Sequence, residues 1–170
     1  PPNNQGTVDE AILERVKEFG QEVKDTFGVN LAANAEISAT EVRGNDLAFK
    51  PSNVIDGDDA TYWTTDDGTT TGSMILNLGS TKTFDVVSIE EAIQFGQRIT
   101  SFKVEYRNGE EDSWKTFDEG TTIGSKRLSR KAPVKADAIK ITVSTESEVI
   151  ANENVPMISE VGVYKASEGF

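Results

Sequence analysis

The feature that most restricts the fold is a strict alternation of apolar and polar residues in two separate stretches. Within the predicted strands at 99–107 and 138–144, apolar side chains recur at every second position over residues 102–106 (FKVEY) and 139–143 (IKITV). This period of two places one set of side chains on the buried face of a strand. Further short apolar segments, separated by turns that contain Gly, Asn and Asp, occur at residues 73–79, 83–89, 113–117 and 158–165. Many short strands without intervening helices predict an all-β fold, an antiparallel jelly-roll β-sandwich.

One α-helix is predicted before the strands, over residues 8–27. Thr7 and Glu10 match a capping box at its start, and Gly28 is predicted to end it in the left-handed conformation. An apolar stripe needs a partner, and the acidic polar face argues against a membrane surface. We therefore expect the helix to dock on a neighbouring domain. The stripe follows spacings of three and four and comprises Val8, Ile12, Val16, Phe19, Val23 and Phe27.

The composition excludes several classes of chemistry. The chain has no cysteine and no histidine, which removes thiolate and imidazole nucleophiles, bases and metal ligands. Its formal net charge of −12 makes nucleic acid and membrane lipid poor partners. Divalent cations and neutral sugars remain compatible with this charge.

Residues 53–63 (NVIDGDDATYW) concentrate oxygen-bearing side chains in one turn. Asp56, Asp58 and Thr61 could contribute to the six to eight oxygens that calcium prefers. The alternative is an Asp-Gly turn whose carboxylates accept backbone amides and need no ion. Spacing alone leaves both alternatives open and slightly favours the turn.

Adjacent carboxylates occur at residues 66–67, 90–91 and 110–111. Neighbouring residues in a strand point to opposite faces, so such pairs do not form the facing dyad that a glycosidase requires. The sequence therefore predicts no catalytic constellation within this chain.

Four predicted loops mix amide, carboxylate, guanidinium and aromatic groups, as sugar-binding sites do. They span residues 42–46, 61–68, 94–98 and 121–127. The alternative is that Tyr62 and Trp63 belong to the core while the basic residues form surface ion pairs. For Trp63 the core is favoured, and for the arginines the two alternatives are about even.

Several segments together resemble the discoidin or coagulation factor 5/8 type C domain, known in bacterial glycosidases as the family 32 carbohydrate-binding module. They are NVIDGDDATYW, MILNLG, RITSFKVEY and MISEVGVY, and the resemblance covers residues 31–166. The first 32 residues resemble the segment that closes the catalytic domain of family 29 α-L-fucosidases. EVRGND, TYWTTDDG, EAIQFGQRI and GTTIGSKRL resemble the β-domain that follows in those enzymes. This implies a helical end of a catalytic domain or linker over residues 1–30, the β-sandwich over 31–166 and a tail over 167–170.

The resemblance also implies a structural calcium ion, and it reverses the slight preference for a turn without an ion. The ligands that it implies lie in the loop before the TYW segment and in the last predicted strand. They are the carbonyl of Asn53, a carboxylate of Asp56, the carbonyl of Asp58, Thr61, Ser159 and Glu160.

The sugar site is implied less directly. Galactose-binding members place a histidine after the tryptophan and an aromatic residue three positions on, where this chain has Thr64 and Asp67. The residues that match the fucosidase-associated pattern either bind a glycan or brace the catalytic barrel. They are Arg43, Asp46, Trp63, Asp67, Gln97, Arg98, Lys126 and Arg127.

The resulting expectation is a non-catalytic carbohydrate-binding module of a secreted or cell-surface bacterial α-L-fucosidase. Its partners would be fucose- or galactose-containing glycans and the catalytic domain of the same chain. The alternative is an accessory β-domain that braces the catalytic barrel. Lipid binding ranks last, because it requires exposed apolar loop tips and positive charge, and the sequence predicts neither.

Overall fold

A computed structural model describes residues 8–146 and 154–169 of the chain. The helix α1 spans Glu10–Phe27, as predicted, and Asp9 caps its start by accepting a hydrogen bond from the Ala11 amide at 2.9 Å. Thr7, the predicted cap, lies outside the described residues. The left-handed ending predicted for Gly28 is wrong, because its φ and ψ are −68° and −20°. Glycine is required there because a Cβ atom would lie 2.5 Å from the Lys24 carbonyl oxygen.

All strand pairs are antiparallel, which confirms the predicted all-β class. Two strands are much longer than predicted. The predicted strands at residues 73–79 and 83–89 are parts of β3, and the predicted strand at 138–144 is the second half of β6. The strands are β1 (Glu36–Ala39), β2 (Trp63–Thr64), β3 (Thr71–Glu91), β4 (Ile99–Arg107), β5 (Lys115–Gly120), β6 (Arg127–Thr145) and β7 (Met157–Tyr164).

The two long strands build both layers of a sandwich. Residues 71–77 of β3 pair with β1 and with the second half of β6, which continues to β4 and β5. Residues 82–91 of β3 pair with the first half of β6 and with β7, which carries β2. The register shifts between Asn77 and Lys82, where Gly79 has a φ of 74°. Phe84 of the second group contacts Phe117 of the first at 5.5 Å, so the two groups face each other.

Trp63 occupies the core between the layers and is fully buried. A Cβ atom at Gly72 would lie 2.6 Å from its ring, so glycine lets β3 approach the indole closely. The indole nitrogen donates to the Glu41 carbonyl at 2.8 Å, which satisfies its one polar group. The loop before β2 is thereby fixed to the core.

The helix is attached to the sandwich through its C-terminal end. Phe27 packs edge-on against Tyr164 at 5.0 Å, and the Thr26 hydroxyl accepts the Ser167 amide at 3.1 Å. The Asn30 side chain donates to the Val161 carbonyl at 3.1 Å and accepts the Val163 amide at 3.0 Å. The connector is therefore bonded to the backbone of β7.

The N-terminal turns of α1 expose the apolar stripe. Five large apolar side chains are between 41% and 62% exposed, namely Val8, Ile12, Leu13, Val16 and Phe19. Within the described residues, no helix is long and apolar enough to span a membrane. The helix is thus an arm that is fixed at one end and presents an uncovered apolar face.

Candidate functional site

The loop at residues 53–61 is held in place by Asn53 and closed by its own side chains. Asn53 is buried and donates to the carbonyl oxygens of Ala48 and Tyr62 at 2.8 and 3.1 Å. One carboxylate oxygen of Asp56 accepts the Asp58 amide at 3.0 Å, across Gly57 with a φ of 76°. The loop therefore has the geometry of the Asp-Gly turn.

The same turn gathers oxygen atoms at one point. The Thr61 hydroxyl donates to the second carboxylate oxygen of Asp56 at 2.8 Å and lies 3.1 Å from the Asp58 carbonyl oxygen. One carboxylate oxygen of Asp58 accepts the Ala60 amide at 3.0 Å. The Asp58 carbonyl oxygen, the atom that the resemblance implied, accepts the Thr61 amide at 3.0 Å and would have to bind an ion in addition to this hydrogen bond.

Glu160 in β7 completes this cluster from the far end of the sequence. The pKa of its carboxyl group is raised to about 7: burial is the largest cause, the neighbouring Asp56, Glu90 and Asp59 act in the same direction, and a hydrogen bond from the Gly57 amide opposes them. One of its carboxylate oxygens is buried without a hydrogen-bond partner. An unsatisfied buried carboxylate beside a second carboxylate fits a bound cation, which would supply the missing partner.

The cluster would depend on backbone oxygens. Among the described residues, no group of three or more acidic side chains lies close enough to hold a metal ion. The Ser159 hydroxyl is turned into the sheet, where it donates to the Glu91 carbonyl at 3.2 Å. Asp56 and Glu160 are therefore the two carboxylates that the structure brings to this point.

The predicted sugar-binding residues are divided among several places. Trp63 offers no ring face to a ligand, because it is fully buried. Arg43 forms an ion pair with Asp67, and the Asp66 carboxylate accepts the Gly44 amide at 2.6 Å. Asp46 accepts the Ala48 amide at 2.9 Å in the same loop. The loops at residues 42–46 and 61–68 are thereby joined.

Beside this ion pair lies an aromatic ridge formed by Phe49, Tyr62 and Phe95. Tyr62 contacts the other two rings at 5.4 and 5.2 Å. Arg43 lies 5.9 Å above the Phe49 ring, and Arg98 donates to the Phe95 carbonyl at 3.1 Å. Neither phenylalanine was among the site residues assigned from the sequence, although Phe95 lies in the candidate loop at residues 94–98. Their signal was two phenylalanines within polar segments that carry no strand or helix periodicity.

The loops around the aromatic ridge contradict one prediction, about exposed apolar side chains. The sequence predicted no exposed apolar loop tips, yet Leu47 is 81% exposed and Ile93 and Phe95 are nearly half exposed. The prediction was wrong because these side chains lie on short 3₁₀ turns whose orientation depends on tertiary contacts. The net charge of −12 still opposes binding to an anionic membrane.

The buried carboxylate of Glu91 holds the two remaining predicted loops, at residues 94–98 and 121–127, through hydrogen bonds. It accepts the amides of Arg98 at 2.7 Å, Ile99 at 3.1 Å and Gly124 at 2.7 Å. These bonds hold the loops that carry Gln97, Arg98 and Lys126. Sequence reasoning missed this role, because the three amides come from two distant segments.

Lys126 and Arg127 lie in ion pairs. The Lys126 ammonium contacts the Glu90 carboxylate at 2.7 Å, and this hydrogen bond raises the pKa of Lys126. Arg127 lies 3.5 Å from Asp118, in a cluster with Lys131. Arg127 is thus engaged between β5 and β6 rather than at the aromatic ridge.

Comparisons with known proteins relate the chain to one domain family and to a group of enzymes. Residues 36–161 match the family described as the F5/8 type C domain. The putative alpha-L-fucosidase 1 of Oryza sativa subsp. japonica is 34% identical over 98% of this chain and 31% of its own length.

Solved structures give the same relation. A GH29 fucosidase of Ruminococcus gnavus in complex with fucose is 55% identical, with a TM-score of 0.91 over 99% of this chain and 33% of that chain. A putative alpha-L-fucosidase from Bacteroides thetaiotaomicron is 31% identical, with a TM-score of 0.87 over 100% of this chain and 36% of that chain. The chain spans about a third of the length of these relatives.

The three amide bonds to Glu91 generate a prediction about stability. Glu91→Gln replaces one acceptor oxygen with a donor that faces a buried amide, and hydrogen bonds to a charged group contribute about 1.5–3 kcal/mol each. We expect the free energy of unfolding to fall by about 2 kcal/mol or more in urea denaturation. The control is Glu111→Gln in an exposed turn, expected to change it by less than about 0.5 kcal/mol. Equal midpoints for the two variants would contradict the role of Glu91.

Proposed function

The chain belongs to the F5/8 type C domain family, and from this premise we propose that it is a non-catalytic carbohydrate-binding module of a bacterial α-L-fucosidase. The observation that carries the proposal is similarity to fucosidases over nearly the whole chain, helix included. The 55% identity to a Ruminococcus gnavus enzyme supports a bacterial origin. A secreted or cell-surface location follows from the proposed glycan targets.

The paired carboxylates support a binding role. Glu91 is bonded to three amides, Glu90 to Lys126, and Asp67 to Arg43. A glycosidase acid must instead hold its proton beside the scissile bond, opposite a second free carboxylate. These side chains therefore stabilise loops, and the reaction is assigned to the part of the enzyme outside this chain.

The proposed glycan site is the aromatic ridge with the polar groups around it. Exposed ring surface can stack on the C–H face of a sugar, while guanidinium and carboxylate groups bond its hydroxyls. The residues that we assign to the site are Arg43, Asp46, Phe49, Tyr62, Asp67, Phe95, Gln97 and Arg98. The ligands would be fucose- or galactose-containing glycans, and several weak contacts per enzyme or surface would add through multivalency.

We propose a structural calcium ion at the loop of residues 53–61. Glu160, Asp56, Thr61 and the carbonyl oxygens of Asn53 and Asp58 would hold it. Bound there, the ion would neutralise the carboxylates and connect β7 to the loop before β2. The unsatisfied Glu160 oxygen supports this assignment, because burial without a partner is costly for a carboxylate.

The glycan site is tested by titration of the chain with fucose, galactose, N-acetyllactosamine and blood-group oligosaccharides in isothermal calorimetry. We expect weak binding to at least one of them, and a loss of about tenfold in affinity for Phe95→Ala and Arg43→Ala. Lys135→Ala, on exposed surface of β6, serves as the control. If none of these sugars binds at millimolar concentration, the proposed targeting function is contradicted.

The calcium site is tested by chelation. At a calcium concentration about a hundred times the Kd, the ion should stabilise the chain by about 2.7 kcal/mol, and EDTA should remove this stabilisation. The effect should be smaller at about pH 5.5 than at about pH 8, because protons compete for the carboxylate ligands. Glu160→Gln should abolish the calcium effect and Glu111→Gln should retain it. A melting temperature that changes neither with calcium nor with EDTA would contradict the site.

A second candidate function is bracing of the catalytic barrel, and the apolar face of α1 favours it. Ile12, Val16 and Phe19 are 41–62% exposed on a helix that is fixed to β7. An apolar face of this kind marks an interaction surface. The match to the fucosidase relatives includes this helix, and about two thirds of each relative's length lies outside the matched part and would supply the partner.

If the helix braces the catalytic barrel, substitutions in its apolar face should destabilise the longer enzyme. Val16→Asp with Phe19→Asp should lower its melting temperature and its turnover of a small aryl fucoside, while Lys17→Asp on the same helix should leave both unchanged. In the 170-residue chain the double variant should have little effect on stability. Unchanged stability and turnover in the longer enzyme would leave targeting as the only function.

A further inference from the structure

The outward face of the first sheet layer carries short hydroxyl side chains at its centre. This layer comprises β1, the first half of β3, the second half of β6, β4 and β5. The hydroxyl oxygens of Ser73 and Thr142 lie 3.0 Å apart, and those of Thr71 and Ser144 lie 2.9 Å apart. Ser73, Thr142 and Ser144 are half-buried, and Trp114 flanks the same face, with its ring centroid 4.8 Å from the Lys140 ammonium.

Two grooves run across this face and meet at its centre. One of about 470 Å³ is lined by Ser101, Lys103, Glu119, Thr142 and Ser144. The other, of about 310 Å³, is lined by Ser38, Thr40, Ser73, Ile75 and Lys140. The hydrogen-bonded pair Ser73 and Thr142 joins them, because each of its members lines one groove. We call the combined feature the sheet groove.

Charges within the sheet groove compensate one another. Lys103 and Lys140 contact the same carboxylate, that of Glu105, at 3.1 and 2.6 Å. Burial raises the pKa of Glu105, but the hydrogen bonds from these two lysines bring it below its usual value. With Glu119, the groove carries two lysines and two glutamates. Such a face attracts neither an anion nor a cation and suits an uncharged polar ligand.

The dimensions favour a chain of sugars over a single one. Five strands at about 4.8 Å spacing give the groove a length of about 19 Å. Apart from Ile75 and the edge of Phe102, its described lining contains no large apolar side chain. A protein partner would therefore find few large apolar side chains to anchor it here. A glycan would exchange hydroxyl–water bonds for hydroxyl–hydroxyl bonds along the groove.

We propose that the sheet groove is a second glycan-binding surface that takes an extended, uncharged oligosaccharide, separately from the aromatic ridge. The inference rests on the proposed carbohydrate-binding function. It adds a site in regular sheet, whereas Phe49, Tyr62 and Phe95 of the ridge lie in loops and line neither groove. A module with both sites would hold a terminal sugar at the ridge and a polymer chain across the sheet.

The test is an NMR titration of the ¹⁵N-labelled 170-residue chain with lacto-N-tetraose, cellohexaose and free fucose. Thr40→Val combined with Thr142→Val removes one hydroxyl from each groove while keeping β-branched side chains of similar volume. We expect the oligosaccharides to shift amides of β3, β4 and β6, and the double variant to lose at least about tenfold in affinity. Thr83→Val, an exposed position outside the groove, should bind as the parent does.

The possible outcomes of this experiment distinguish failure of the sheet groove from failure of the proposed function. Shifts confined to the aromatic ridge, removed by Phe95→Ala and unaffected by the double variant, would overturn the sheet groove and retain the ridge. Absence of binding by any sugar would overturn both. Concentration-dependent dimerisation in sedimentation, lost in the double variant, would identify a second copy of the chain as the occupant and would also overturn it. Oligosaccharide binding that survives Phe95→Ala and is lost in the double variant supports the groove.

Discussion

The pairing of β3 with β6 is the constraint on which the rest of the structure depends. The two strands run antiparallel from Thr71–Ser144 to Ile89–Arg127 and belong to both layers of the sandwich. Every other strand except β2 and β5 pairs directly with one of them. Because the C-terminal end of β3 leads into Glu90 and Glu91, this pairing also delivers the two carboxylates that hold Lys126 and the loops around Arg98.

The sequence predicted most of the strands that bury apolar side chains, and it missed β1, β2 and the first half of β6. Residues 102–106 and 139–143 alternate because one face meets the core, and both lie in strands. The first half of β6 (RLSRKAPVK) is mostly exposed and contains Pro133, so it lacks the pattern. Its strand conformation comes from hydrogen bonds to β3. The Asn77–Gly79 segment has the composition of a turn, and only the structure shows that one strand continues through it.

The proposed metal site was also only partly predictable from local sequence. The turn at Asp56–Asp58 could be read from local spacing, whereas Glu160, a hundred residues later, entered through family resemblance alone. The structure places both at one point, with Gly57 as the link. The aromatic ridge and the sheet groove could not be predicted, because each joins residues from three or more segments whose proximity is set by strand order. The core position favoured for Trp63 is confirmed: Gly72 lets β3 approach its ring, and the Glu41 carbonyl accepts its indole N–H.

The last strand connects the proposed metal site to the helical arm. In β7, Glu160 points toward the loop of residues 53–61, and the next positions, Val161 and Val163, are buried while their backbone groups bond the Asn30 side chain. An ion that neutralises Glu160 would stabilise the same strand that holds the connector of α1. If the proposed ion binds, it would therefore also stabilise the attachment of α1 through β7.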